Sequence, residues 1–168
     1  MTICCHNYIL TACCQLEVEE LRKKMTKGEK FTELVLEIFK VNGMLNTEGD
    51  QLTAPFGITS ARWKVLGAIG LEQRPLTVSD IARAMGQSRQ GTQRLVDAMV
   101  KDDVLETMDN PNHKRAKLVR LTARGQSIYE QLDEVQRPWA EKNAEHLSGE
   151  QLDTALAVLQ SLTGRFER

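Results

Sequence analysis

Residues Leu76–Gly125 read LTVSDIARAMGQSRQGTQRLVDAMVKDDVLETMDNPNHKRAKLVRLTARG. Thr77 is a natural N-cap, because its hydroxyl can accept from a free backbone N–H of the first helical turn. Asp80 adds a carboxylate three residues on, at the positive end of the helix dipole. Val78, Ile81, Ala82 and Met85 then recur at helical spacing. Gly86 suits the left-handed position that ends a helix, and only Gln87 separates it from Ser88, the next N-cap. Two helices joined by so short a link must cross steeply, which is helix-turn-helix geometry.

The second helix is expected from about Ser88 to Asp102, with its apolar residues Leu95, Val96, Met99 and Val100 in the C-terminal half. Its opening residues are Arg89, Gln90, Gly91, Thr92, Gln93 and Arg94, with no acid among them. Arginine pairs with guanine and glutamine with adenine in the major groove, and the start of a recognition helix is where base edges are met. A solvated helix start would also be polar, but a mid-helix Gly91 costs up to about 1 kcal/mol relative to alanine. That cost is easier to understand where the backbone approaches something closely.

A hairpin follows. Val104–Met108 reads as a strand, Asp109–Asn112 as a turn-rich loop, and Lys117–Leu121 as the returning strand. Between Asn110 and Arg124 stand five basic residues (Lys114, Arg115, Lys117, Arg120 and Arg124) and no acid, in a chain of net charge −1. Such a loop suits phosphate contact, and an arginine at its tip suits a narrow minor groove. Helix, turn, helix and basic hairpin together predict a winged helix-turn-helix. The candidate nucleic-acid-binding residues are Thr77, Ser88, Arg89, Gln90, Thr92, Gln93, Arg94, His113, Lys114 and Arg115. Phosphates are assigned to the wing and to the helix starts at Thr77 and Ser88. Bases are assigned to Arg89, Gln90, Gln93 and Arg94, with Thr92 against a thymine methyl.

LTVSDIARAMGQSRQGTQRLVDAMVKDD and the wing DNPNHKRAKLVRLTARG resemble the MarR family of bacterial transcriptional regulators. The resemblance runs from about Phe31 to the C-terminus and is most specific at Leu121-Thr122-Ala123-Arg124-Gly125. It implies a homodimer on a pseudo-palindromic operator of double-stranded DNA, acting as a repressor relieved by a small phenolic or lipophilic ligand. It places Arg115 in the minor groove and Ser88–Arg94 at the opening of the recognition helix. His113 stands where an aspartate often braces the wing arginine, Asp103 where glycine is frequent, and Thr107 where arginine is common.

The expected fold class is mainly α with a small β-hairpin wing and flanking dimerisation helices. Phe31, Leu34, Val35, Ile38, Phe39, Val41 and Leu45 give one apolar face before the reader domain, and Trp63, Val65, Leu66 and Ile69 another. After the wing, Thr122 can cap a long helix carrying Ile128, Leu132, Val135 and Trp139, in which Pro138 should bend or divide the helix. Ser148 and Gln151 have capping-box spacing ahead of Leu152, Leu156, Leu159, Leu162 and Phe166. A winged helix of about 70 residues can bury its own core, so these helices are candidates for burial between subunits. Gly125–Arg168 carries eight acids against four bases, a poor surface for phosphates. The organisation read from these patterns is an extension over 1–24 and one domain over 25–168. The winged helix-turn-helix lies at about 53–121, and the dimerisation helices at about 29–50 and 122–168.

The four cysteines, Cys4, Cys5, Cys13 and Cys14, all lie in the first 24 residues beside His6. Adjacent pairs are not the C-x₂-C spacing of zinc sites. The first apolar helix holds no cysteine for oxidant sensing, and Leu10-Thr11-Ala12-Cys13 looks like a lipoprotein cleavage box with no Lys or Arg before it. A disordered extension, or a true start at Met25, is the plainer reading. The three histidines lie in separate segments, and no H-E-x-x-H, G-x-S-x-G or phosphate-binding glycine loop occurs. No catalytic residue, metal or cofactor is therefore expected, and no run of about 18 apolar residues suggests a membrane span. The chain reads as a cytoplasmic regulator. A winged-helix dimerisation or protein-docking module without specific DNA binding is the alternative.

Overall fold

The computed structural model of the protein describes residues 24–113 and 115–166, so the cysteine segment, its readings and Lys114 lie outside the described residues. The elements in chain order are α1 (Lys27–Thr53), a short 3₁₀ turn (Ala54–Phe56), α2 (Ser60–Glu72), β1 (Leu76–Thr77), α3 (Val78–Ala84) and α4 (Arg89–Lys101). β2 (Leu105–Met108), β3 (Leu118–Leu121), α5 (Ala123–Ala144) and α6 (Gly149–Phe166) follow. This is the expected winged helix-turn-helix, with long helices before and after it in the chain. The chain divides into two units at Thr47/Glu48.

In the first unit, Thr26 and Glu29 exchange hydrogen bonds at the start of α1. The Thr26 backbone N–H donates to Glu29 Oε2 at 2.7 Å, and the Glu29 N–H donates to Thr26 Oγ1 at 3.3 Å. Phe31, Leu36, Phe39, Val41, Met44 and Leu45 along this helix are exposed.

In the second unit, Val65, Leu66, Leu76, Ile81, Val96, Met99, Val104, Leu105, Val119 and Leu132 form one buried cluster. The apolar stripes of α2, α3 and α4 therefore share one core with the sheet and α5. The end of α1 is fixed to α2. Asp50 Oδ1 accepts from the Ser60 N–H at 2.6 Å, and buried Thr53 donates its hydroxyl to Gly49 O at 2.8 Å. A side chain at Gly49 would press on Ser60 Cβ at 2.9 Å. The helix starts are capped as expected, with Thr77 and Asp80 forming a complete capping box and Ser88 accepting from the Gly91 N–H. Ser148 and Gln151 also exchange bonds, at 2.8 and 3.2 Å.

Three features differ from the sequence reading. The sheet has three antiparallel strands in the order β1-β3-β2, because Leu76 and Thr77 pair with Val119 and Leu118. A two-residue strand gives no alternation to detect. The hairpin strands are one residue shorter at their outer starts, since Val104 and Lys117 lie outside the ladder. α5 runs unbroken through Pro138, so the proline does not divide it.

The wing is joined to α5 by a close backbone approach. A Cβ added at Gly125 would overlap the carbonyl oxygen of Val104. Thr122 donates its hydroxyl to Asp103 O at 2.7 Å, and its N–H to Val104 O at 3.2 Å. Its hydroxyl also accepts from the Gly125 N–H at 3.0 Å. Because the obstructing atom is backbone, relief would require strand and helix to separate. Gly125→Ala is therefore expected to destabilise the fold by about 2–3 kcal/mol, the upper part of the overpacking range. Urea unfolding of the two proteins measures it, and a loss within 0.5 kcal/mol, the scatter of neutral surface changes, would contradict the close approach.

Candidate nucleic-acid interface

Among the described residues, five arginines are answered by carboxylates. Arg62 meets Asp102 at 2.7 Å, Arg74 meets Glu72 at 3.0 Å, Arg83 meets Asp80 at 3.3 Å, and Arg120 meets Glu106 at 2.7 Å across the hairpin. Arg137 pairs with Asp133 on α5. Arg124, a sixth, is exposed and donates to Asp102 O at 3.1 Å. The five-cation patch read around the wing is thus divided, since Arg120 and Arg124 serve the protein itself. Arg89, Arg94, Arg115, Lys101 and Lys117 make no ion pair with another described residue, which leaves their charge to the solvent side.

An open groove of about 600 Å³ runs between α4 and the wing. It is lined by Arg89, Gln93 and Lys101 of α4, Arg115 and Lys117 of the wing, and Thr77 and Ser79 at the start of α3. Residues four apart on a helix share one face, so Arg89 and Gln93 look along the groove towards the wing. Gln90 and Arg94 form the neighbouring stripe of α4. Both are exposed, and neither lines the groove. Ser88 and His113 are exposed outside it as well. Asn110 Oδ1 accepts from the Asn112 N–H at 2.9 Å, and Ala116 N–H donates to His113 O at 3.1 Å, so the wing tip is shaped by its own turns.

Two assignments need correction. Thr92 is fully buried and donates its hydroxyl to Ser88 O at 3.1 Å. It holds the first turn of α4 and offers no methyl to a base. Thr77 is half-buried, and its hydroxyl donates to Asp80 Oδ2 at 2.6 Å, while that same oxygen accepts from the Thr77 N–H at 3.2 Å. The Asp80 carboxylate thus occupies the start of α3 where a phosphate was expected. Gly91 has a local explanation too, because a Cβ there would meet the capping Ser88 Oγ at 3.0 Å. Sequence reasoning placed Lys117 in the basic wing but missed Ser79 and Lys101 at the groove, and Asp97, whose Oδ1 accepts from Gln93 Nε2 at 2.8 Å. The i, i+4 spacing of Gln93 and Asp97 was the signal available for the last.

The Thr77 hydroxyl holds the Asp80 carboxyl below the ordinary aspartate value of 3.8, with Arg83 and Arg74 adding to the effect. The Ser60 N–H does the same for Asp50. A carboxyl lowered in the folded state contributes stability that is present above its unfolded value and lost as pH falls through the folded one. Thr77→Ala is expected to cost about 1 kcal/mol at neutral pH, the usual cost of a lost N-cap. The gap to the parent should narrow as pH falls below 3.8. Urea midpoints across that range check both, and a gap that widens in acid would contradict the capping box.

Residues 56–116 match the model of the MarR family. An uncharacterised protein of Mycobacterium tuberculosis is 33% identical over 107 residues, covering 64% of this chain and 73% of its own. BadR of Rhodopseudomonas palustris, named a transcriptional activatory protein, is 29% identical over 111 residues, covering 63% of this chain and 62% of its own. A mutant of Escherichia coli MarR, solved in complex with operator DNA, superposes with a TM-score of 0.69 at 24% identity, covering 82% of this chain and 99% of that one. The winged fold, the basic groove and these likenesses agree, and the chain belongs to the MarR family of transcription regulators.

Proposed function

We propose that the chain is a sequence-specific regulator that binds a pseudo-palindromic operator in double-stranded DNA as a homodimer. The observation that carries this is the placement of Arg89, Arg115, Lys101 and Lys117 along one groove, where none of them makes an ion pair with another described residue, unlike Arg62, Arg74, Arg83, Arg120 and Arg137. A groove with uncommitted cations on a reading helix and a wing fits a duplex, whose phosphates supply the missing counter-charge. α4 enters the major groove and the wing reaches the adjacent minor groove. That a MarR structure of the same fold carries operator DNA supports a DNA duplex as the partner.

Dimerisation is supported by the apolar residues left exposed in one protomer. α6 buries none of its residues and exposes Leu152, Leu156, Val158, Leu159 and Phe166, while α1 exposes Phe31, Leu36 and Phe39. Patches of this kind on a folded chain mark a contact surface. A two-fold pair of reading heads would span about one DNA turn, roughly 34 Å. Residues 25–168 act in this reading as one functional domain, with the helices outside the winged core given to self-association. We infer a repressor located in the cytoplasm with the DNA, acting where the operator overlaps a promoter. We infer relief by a small phenolic or lipophilic ligand, a reading supported by the ligand-bound structures of NadR and CouR, which share the fold. A reporter fused to the bound promoter reads the sign of regulation, for which BadR supplies the opposite precedent.

Binding-site selection from random duplexes tests the assignments. Arg115→Ala should weaken binding to all selected sequences and lower the slope of log affinity against log salt by about 1, with the preferred site unchanged. Arg94→Ala should relax preference at one base pair. Interchanged effects would refute the two roles, and no enriched sequence from the parent protein would favour a docking module instead.

A further inference from the structure

Asp97 stands in the groove among Arg89, Lys101, Arg115 and Lys117, yet makes no ion pair with another described residue. The bond it does make is to Gln93, whose Nε2 donates to Asp97 Oδ1 at 2.8 Å. A carboxylate on a surface that meets phosphates opposes binding through like charge. Its position is therefore better explained by what it does to its neighbour than by contact with the duplex. A carboxylate only accepts, whereas a glutamine amide has one accepting and one donating end. Only the donating end can face Asp97, so the orientation of the Gln93 amide follows from chemistry.

We propose that Asp97 is a positioning residue that fixes the hydrogen-bond polarity of Gln93 and so determines which base Gln93 reads. The inference rests on the reading of α4 as the base-reading helix. One N–H of Nε2 is committed to Asp97, and Gln93 keeps Oε1 and its second N–H for the duplex. That pair matches adenine, which offers the N6 donor and the N7 acceptor side by side in the major groove. Guanine offers two acceptors there, O6 and N7, and leaves Oε1 without a donor. With its amide held, Gln93 cannot turn the whole NH₂ towards guanine. Asp97 thus makes Gln93 discriminate adenine from guanine without touching either.

The isosteric change Asp97→Asn removes this constraint, because an asparagine amide can face Gln93 with either its oxygen or its nitrogen. Asp97→Glu keeps an acceptor-only group within reach of the same side chain. The experiment is binding-site selection with the parent protein, Asp97→Asn, Asp97→Glu, Gln93→Ala and the double variant Asp97→Asn/Gln93→Ala. Thermal melting accompanies it to confirm that each variant is folded. The parent should prefer adenine at one pair in each half-site. Asp97→Asn should lower adenine-over-guanine discrimination at that pair by about tenfold, within the span a bidentate contact supplies, while Asp97→Glu restores most of it. The double variant should match Gln93→Ala, since Asp97 acts through Gln93. A merely structural or charge role would change affinity for all sequences alike and leave the selected motif as it was. That result, in a parent that yields a clear motif, overturns the inference and leaves the regulator reading intact. A parent that yields no motif overturns both.

Discussion

The backbone around Val104 is the point on which the reading geometry depends. Its N–H closes the end of α4 by donating to Met99 O at 2.9 Å, and its carbonyl accepts from the Thr122 N–H at 3.2 Å. Gly125, in the first turn of α5, lies against that same carbonyl. The two preceding residues extend the knot, since the Asp102 carboxylate holds Arg62 of α2 and its carbonyl accepts from Arg124. Asp103 turns the chain through a left-handed φ of 56°, a conformation that a β-branched or bulky residue adopts with difficulty. Three consecutive residues thus tie α2, α4, the hairpin and α5 together. The wing cannot shift along α4 without breaking these bonds, so the groove between them has a fixed width.

That fixed groove gives the charge distribution its meaning. A net charge of −1 says little about partners, because the local field at the contact face decides attraction. Carboxylates pair with Arg62, Arg83, Arg120 and Arg137, whereas among the described residues none pairs with the cations facing the groove. Exposed pairs of this kind contribute little to stability, usually well under 1 kcal/mol. More consequential is that Arg89 and Arg115 line one groove with no ion pair to another described residue. Asp97 is the exception within the groove, and its bond to Gln93 gives that exception a chemical reason.

Much of this was legible in the residues. Thr77, Ser88, Thr122 and Ser148 each announce a helix start, because a short hydroxyl before an apolar repeat has a specific backbone task. The tight link between α3 and α4 was legible in Gly86, which has a φ of 59°, and the single residue between it and Ser88. What escaped detection depended on contacts distant in the chain. β1 exists because β3 lies beside it, not because Leu76-Thr77 has a strand pattern. Arg120 reads as a wing cation until the register places Glu106 opposite it. Thr92 reads as exposed because its neighbours are polar, and only the packing of α4 turns it inward. The family resemblance pointed to a reading helix and a wing arginine, but the division of cations between protein and solvent had to come from the folded chain.

Chemical footprinting of a selected operator tests the central claim most directly, because it reads the two grooves separately. Two protected major-groove segments about one helical turn apart, each flanked by a protected minor groove, are predicted for a symmetric pair of heads with α4 and wing held at fixed separation. Arg115→Ala should expose the flanking minor grooves and leave the major-groove protection in place. Protection spread evenly along the backbone, or a single protected segment with no minor-groove flank, would contradict the fixed groove and the dimer together.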